Sequence, residues 1–166
     1  MPKYQTLING VPTGVDSGGT GGATDANKIP NLDANGRITA LMLPNGIGVD
    51  VVGVTASEAI AAGDYVNVYS NAGAFAVRKA DGASPAKYAN GYVLAAVASA
   101  ASAQVYTDDQ NDQVTGQTAG DVFLSVTVPG KTQAAAPTVA GQVSQKLGFA
   151  VSATLIKVKI DQHYVV

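Results

Sequence analysis

Apolar and polar positions alternate with period two along Leu155-Ile156-Lys157-Val158-Lys159-Ile160, which predicts a strand with one buried and one wetted face. Tyr65-Val66-Asn67-Val68-Tyr69 and Asp121-Val122-Phe123-Leu124-Ser125-Val126-Thr127-Val128 are rich in the β-branched and aromatic residues that suit a pleated surface. Turn signals punctuate these runs: Asn71-Ala72-Gly73, Asp81-Gly82, Asn90-Gly91 and Pro129-Gly130. From residue 49 onward the pattern predicts an all-β domain, a compact β-barrel or β-sandwich of short strands. One segment competes. Thr55-Ala56-Ser57-Glu58-Ala59-Ile60-Ala61-Ala62-Gly63 has a capping-box start and a glycine stop, which predicts one or two turns of helix.

Residues 1–48 have a different texture, with Gly10, Pro12 and Gly14 followed by Ser17-Gly18-Gly19-Thr20-Gly21-Gly22. Glycine-rich backbone has little side chain to bury and a high ordering cost, so this region reads as an extended N-terminal arm. Leu41, Met42, Leu43 and Ile47 form its densest aliphatic patch, and Tyr4, Leu7 and Ile8 are further apolar anchors near its start. An arm cannot bury such residues by itself, and exposed apolar groups of this kind mark an interface. They are the candidate oligomerisation and attachment residues. Two regions follow: an arm and attachment segment, 1–48, and a β domain, 49–166.

The β domain repeats part of itself at an offset of 57 residues. Ala62-Gly63-Asp64 matches Ala119-Gly120-Asp121, the turn glycine Gly73 matches Gly130, and Gly91-Tyr92 matches Gly148-Phe149. The coincidences predict two similar three-strand units; chance among 19 glycines is the competing explanation.

Composition narrows the chemistry. Ala, Val and Gly supply 69 of the 166 residues and charged side chains only 13 per cent, so the core must be thin and built from small groups. The net charge of −2 offers no basic patch for nucleic acid. No apolar stretch reaches the ~20 residues a membrane helix needs, and no secretory signal is visible, which points to synthesis in a cytoplasm and no membrane partner. With no Cys, one His and one Glu, the inventory for nucleophilic, acid–base or metal chemistry is poor, and we expect neither an enzyme nor a cofactor. Thr107-Asp108-Asp109-Gln110-Asn111-Asp112 is the kind of oxygen cluster calcium accepts, but it lacks the glycine and glutamate of an EF-hand loop, and a solvated loop between strands is the favoured reading. His163 reads as a solvated or locally bonded side chain. Tyr65, Tyr69, Tyr88, Tyr92 and Tyr106 could form a binding surface or cap the edge of the core with their hydroxyls in water.

Two stretches carry a resemblance. Lys28-Ile29-Pro30, Leu32-Asp33-Ala34-Asn35-Gly36-Arg37-Ile38 and Leu43-Pro44-Asn45-Gly46-Ile47-Gly48 look like a module of structural proteins in tailed-phage virions. Gly116 to Ser125, Pro129-Gly130, Pro137 and Gln145 to Thr154 resemble phage capsid decoration (cement) and head-fibre proteins. The resemblance implies a structural virion protein without catalytic residues, located on the capsid surface. Its partners would be the major capsid protein and copies of itself, a homotrimer by the three-fold symmetry of a shell lattice. The alternative is a short fibre or adhesin that recognises host-surface glycan through the tyrosines and the acidic 107–112 segment.

Overall fold

The computed structural model describes the backbone of residues 3–16 and, in full, residues 51–166. The chain divides into two units, 1–48 and 49–166. In the first, strands β1 (Lys3–Ile8) and β2 (Val11–Asp16) pair antiparallel with Ile8 opposite Val11. Asn9 and Gly10 between them have φ of 53° and 78°, the left-handed pair that a two-residue hairpin turn demands. Residues read as loose arm are therefore a hairpin over 3–16. Tyr4, Leu7 and Ile8 lie in β1, opposite Val15, Pro12 and Val11. Leu41, Met42, Leu43 and Ile47 lie outside the described residues, as do the glycine run 18–22 and the Asn35-Gly36 turn.

The second unit is all-β. Five strands form a closed barrel: β3 (Val51–Ala56), β4 (Tyr65–Asn71), β5 (Ala74–Lys79), β6 (Gly91–Tyr92) and β7 (Ser102–Tyr106), in the order β3-β5-β4-β6-β7. The β4–β5 hairpin turns on Ala72-Gly73, where the sequence predicts a turn. The ring closes where β3 lies parallel to β5, Thr55 opposite Ala76 and Ala56 opposite Val77, and antiparallel to β7. Val66, Val77, Val93, Ala103, Val105, Ala56 and Ile60 fill its interior.

No helix forms over 55–63. Thr55 and Ala56 belong to β3, and Ser57 continues the pairing by donating its N–H to the Val77 carbonyl at 2.8 Å. Glu58 reaches across to the Lys79 N–H at 2.8 Å instead of back to its own turn. Ile60 exchanges both backbone hydrogen bonds with Val97 and is 2 % exposed. A strand pairing on both edges outweighs the weak helical preference of a nine-residue segment.

The remaining strands are β8 (Asp108–Asn111), β9 (Gly120–Leu124), β10 (Thr132–Gln133), β11 (Val143–Ser144), β12 (Lys146–Ser152), β13 (Leu155–Lys159) and β14 (Tyr164–Val165). Five of them make a sheet of order β10-β9-β12-β13-β8, while β11 pairs with β14. The acidic segment is thus an edge strand and not a loop, with Asp108 opposite Lys159 and Gln110 opposite Lys157. The strand expected over 121–128 stops at Leu124, because the Ser125 hydroxyl accepts the N–H groups of Thr127 and Val128 and bends the chain.

The two five-strand sets share one topology. In each, the second strand in sequence lies between its hairpin partner on one side and the later strands on the other, ending with the first strand paired antiparallel to the last. β3 and β8 both start at the 57-residue offset. Gly63 precedes β4, and Gly120 opens β9, the strand in the same place. The likeness extends beyond the three strands expected, to five. Registers differ locally, with an irregularity between Lys146 and Gly148, and the second set does not close.

The core between the two sets is shared. Tyr65, Ala80, Ala89 and Tyr92 of the barrel half pack with Val122, Leu124, Leu147, Ala150, Ile156 and Val158 of the sheet. Tyr65 and Tyr92 are fully buried, with ring centroids 5.9 Å apart. Burial pushes both phenols well above their ordinary range; the neighbouring Asn111 amide opposes this at Tyr65, while Asp109 and Asp108 add to it at Tyr92. Ionising either phenol is costlier in the folded chain than in the unfolded one, where tyrosine titrates near pH ~10. Their contribution to stability is therefore complete below that pH and is lost as pH rises above it. In an alkaline titration followed by tyrosinate absorbance and circular dichroism, two of the seven tyrosines should ionise only together with unfolding. Smooth ionisation of all seven with the fold intact would contradict the buried placement.

Candidate interaction surfaces

Five tyrosines of the β domain and His163 have packing roles. Tyr92 donates its hydroxyl hydrogen to the Asp108 carbonyl at 2.7 Å, and the Gln110 carbonyl lies 3.1 Å away. Alternate residues turn these two carbonyls to the same edge of β8, so a barrel tyrosine caps that edge. Tyr106 packs 5.6 Å from Tyr92, and the Arg78 guanidinium sits 4.1 Å over the Tyr69 ring. Tyr88 stacks on His163 at 3.8 Å with the rings 8° from parallel. Of the five tyrosines considered for a binding surface, two are buried and three half-buried, and His163 serves as a packing surface. Among the residues whose exposure is described, the exposed tyrosine is Tyr164, at 61 %.

Among the described residues no group of three or more His, Asp or Glu side chains is placed to hold a metal ion. Asp108, Asp109 and Asp112 share a chain segment, but Asp109 reaches Lys157 across the sheet at 3.4 Å and Asp112 accepts from Gln113 at 2.8 Å. No helix among them is long and apolar enough to cross a membrane.

The carboxylate that sequence reading passed over is Asp64, 1 % exposed between the two β sets. Its Oδ2 accepts the Ala61 N–H at 2.9 Å, Lys131 pairs with Oδ1, and the Lys79 ammonium is 4.0 Å from Oδ2. A buried carboxylate needs such compensation. Its one outward signal was its place in the repeated Ala-Gly-Asp triplet. Gln145, 2 % exposed, spans the same junction: it accepts the Ala89 N–H and donates to the Ala89 and Asp161 carbonyls. Both groups fix the sheet to the barrel.

Several large apolar side chains also remain outside. Phe75, beside the β4–β5 turn, is 81 % exposed. A second group gathers at β14, where Gly141 donates to the Val166 carbonyl, Val166 to that of Gln142, and Gln142 to that of Val139. These bonds bring Val139 (60 % exposed) to the same edge as Tyr164, Val165 and Val166. Comparison with known protein families, curated proteins and solved structures finds no match for this chain.

Proposed function

We propose that this protein is a structural virion component that binds the outer surface of a phage capsid as an oligomer and stabilises the shell. The observation that carries the reading is the group of exposed apolar side chains at the β14 edge, Val139, Tyr164, Val165 and Val166. Contiguous exposed apolar groups on a rigid body favour association with protein. A component that binds the assembled lattice and not its free subunits stabilises the lattice by mass action. A homotrimer touching several capsid subunits turns weak single contacts into lasting attachment through effective concentration. Leu41, Met42, Leu43 and Ile47, with Tyr4, Leu7 and Ile8, are the attachment or trimer residues in this reading. The glycan-adhesin alternative loses support, since the five tyrosines it drew upon are buried or half-buried in packing roles.

The test is re-binding of purified protein to capsids stripped of it, read by co-sedimentation, with light scattering for the oligomer. Replacing Val139 and Tyr164 by Asp should leave the denaturation midpoint almost unchanged, because both side chains are exposed in the single chain. Full burial of two such groups is worth about 3 kcal/mol, so association or capsid binding should weaken roughly a hundredfold. Wild-type co-sedimentation and oligomer mass in this variant would remove the edge from the interface, and wild-type protein that ignores stripped capsids would end the reading.

A further inference from the structure

Three backbone hydrogen bonds fix what surrounds the Asp64 carboxylate. Tyr65 donates its N–H to the Gly130 carbonyl at 2.8 Å, Gly130 donates to the Ala80 carbonyl at 2.7 Å, and Ala80 donates to the Tyr65 carbonyl at 2.9 Å. Residues 65, 80 and 130 thus close a triangle. The residue beside each of them, Asp64, Lys79 and Lys131, sends its side chain to one point.

Lys131 comes nearest. Its Nζ is 2.5 Å from Asp64 Oδ1, closer than the about 2.7–2.9 Å of an ordinary ammonium–carboxylate hydrogen bond. Oδ1 is buried and accepts no hydrogen bond, so the nitrogen touches it without lying along a hydrogen-bond direction. Gly130 covers the carboxyl group from another side. A Cβ there would stand 2.8 Å from the Asp64 Cγ, so only bare backbone fits. The repeat supplies a contrast. Asp121 holds the matching place in the second Ala-Gly-Asp triplet, and its ion pair with Lys146 has an ordinary length of 2.8 Å, with the carboxylate 55 % exposed. In the first triplet the same kind of pair is turned inward, its carboxylate 1 % exposed, and compressed.

We propose that Asp64 and Lys131 are a cross-linking site, whose side chains condense into an isopeptide bond that ties the start of β4 to the start of β10. One proton passes from the Lys131 ammonium to the carboxylate, and the neutral amine adds to Cγ. The C–N bond forms, the Cγ–Oδ1 bond breaks, and Oδ1 leaves as water with that proton and a second one from the nitrogen. One cation and one anion become a neutral amide, and no oxidant or reductant takes part. Oδ2 carries the negative charge that develops during addition. The Ala61 N–H donates to it at 2.9 Å and the Lys79 ammonium lies 4.0 Å away, both in place beforehand. The Lys131 side chain is 47 % exposed, which leaves the released water a way out. Condensation is uphill for freely diffusing partners in water, and fixed placement offsets this with an effective molarity of about 10⁵–10⁸ M. The site is separate from the apolar edge of β14 and stands whether or not that edge binds a capsid.

The test is the mass of the full chain, held folded overnight at growth temperature and then denatured. The wild type should weigh about 18 Da less than its sequence, the mass of one water, whereas Lys131→Arg, which keeps the charge but cannot form the amide, should show its full mass. Lys146→Arg, in the exposed pair, should keep the loss. Trypsin does not cut at an acylated lysine, so residues 88–146 should appear as one peptide joined to residues 38–78. The linked chain should also unfold at a higher denaturant concentration than Lys131→Arg. Full sequence mass in the wild type would overturn the proposal, and that measurement stands even if a variant fails to fold. A loss of water that survives Lys131→Arg would overturn it as well, by placing the bond elsewhere.

Discussion

Gly148→Ala should abolish the folded state at ordinary temperature. Gly148 lies in β12, the middle strand of the sheet, between Val122 of β9 and Val158 of β13. Its φ of 146° is one that side chains rarely adopt, and an added Cβ would stand 2.1 Å from the Lys157 carbonyl oxygen. The obstructing atom is backbone in a paired strand, so relief requires β12 and β13 to separate. A substitution of that class exceeds about 4 kcal/mol, a large share of the 5–15 kcal/mol that holds a typical domain together. Gly141→Ala is the control: φ is 85°, but nothing lies within 4 Å of the added carbon. It should cost only about 1 kcal/mol, the price of the left-handed conformation alone. Denaturant melts of the two variants separate collision from strain, and equal losses would show that the sheet yields at Gly148.

The second large effect is expected from Gln145→Leu. The side chain is nearly isosteric and the site is buried, so packing changes little while three hydrogen bonds vanish. Ala89 is 2 % exposed, and both its N–H and its C=O would be left without a partner. At about 1–3 kcal/mol for each buried group, the loss should be about 2–6 kcal/mol, whereas exposed Gln110→Ala should cost under ~0.5 kcal/mol. The denaturation midpoint should fall with its slope unchanged. A melt within error of the wild type would mean that water replaces the amide and that the junction is looser than its geometry implies.

Period-two alternation located β13, and β-branched enrichment located β4, because both strands are long enough for a pattern to register. β10, β11 and β14 have two residues each and leave no periodic trace. β8 was hidden by its composition: the side chains of Asp108, Asp109 and Gln110 are exposed and need not be apolar, and buried Asn111 is hydrogen-bonded to the Gly63 carbonyl. The 55–63 segment misled because local capping chemistry was legible and the remote donor to Glu58, the Lys79 N–H, was not. The glycine coincidences did carry real information, since the positions they mark recur in both five-strand sets. Which set closes could not be read, for closure depends on the parallel contact of β3 with β5, between residues about 20 apart with no shared pattern. The same holds for interaction surfaces. Val139 and Tyr164 are unremarkable in the sequence and come together only through the hydrogen bonds of the β14 edge.

The shared core has a consequence for the order in which the chain acquires its structure during synthesis. All five barrel strands lie between Val51 and Tyr106, so the ribosome delivers them before the first residue of the sheet. Domains tend to fold from the N-terminus as they emerge, and the barrel can close on its own valine interior. Tyr65 and Tyr92, however, belong to a core that residues after 107 complete. A nascent chain that ends near residue 107 carries a finished ring with two uncovered aromatic side chains, and the later strands condense on that surface as on a template. The earlier copy thus acts as a scaffold for the later one, and a gene truncated between them would encode a sticky intermediate, not half of a working protein.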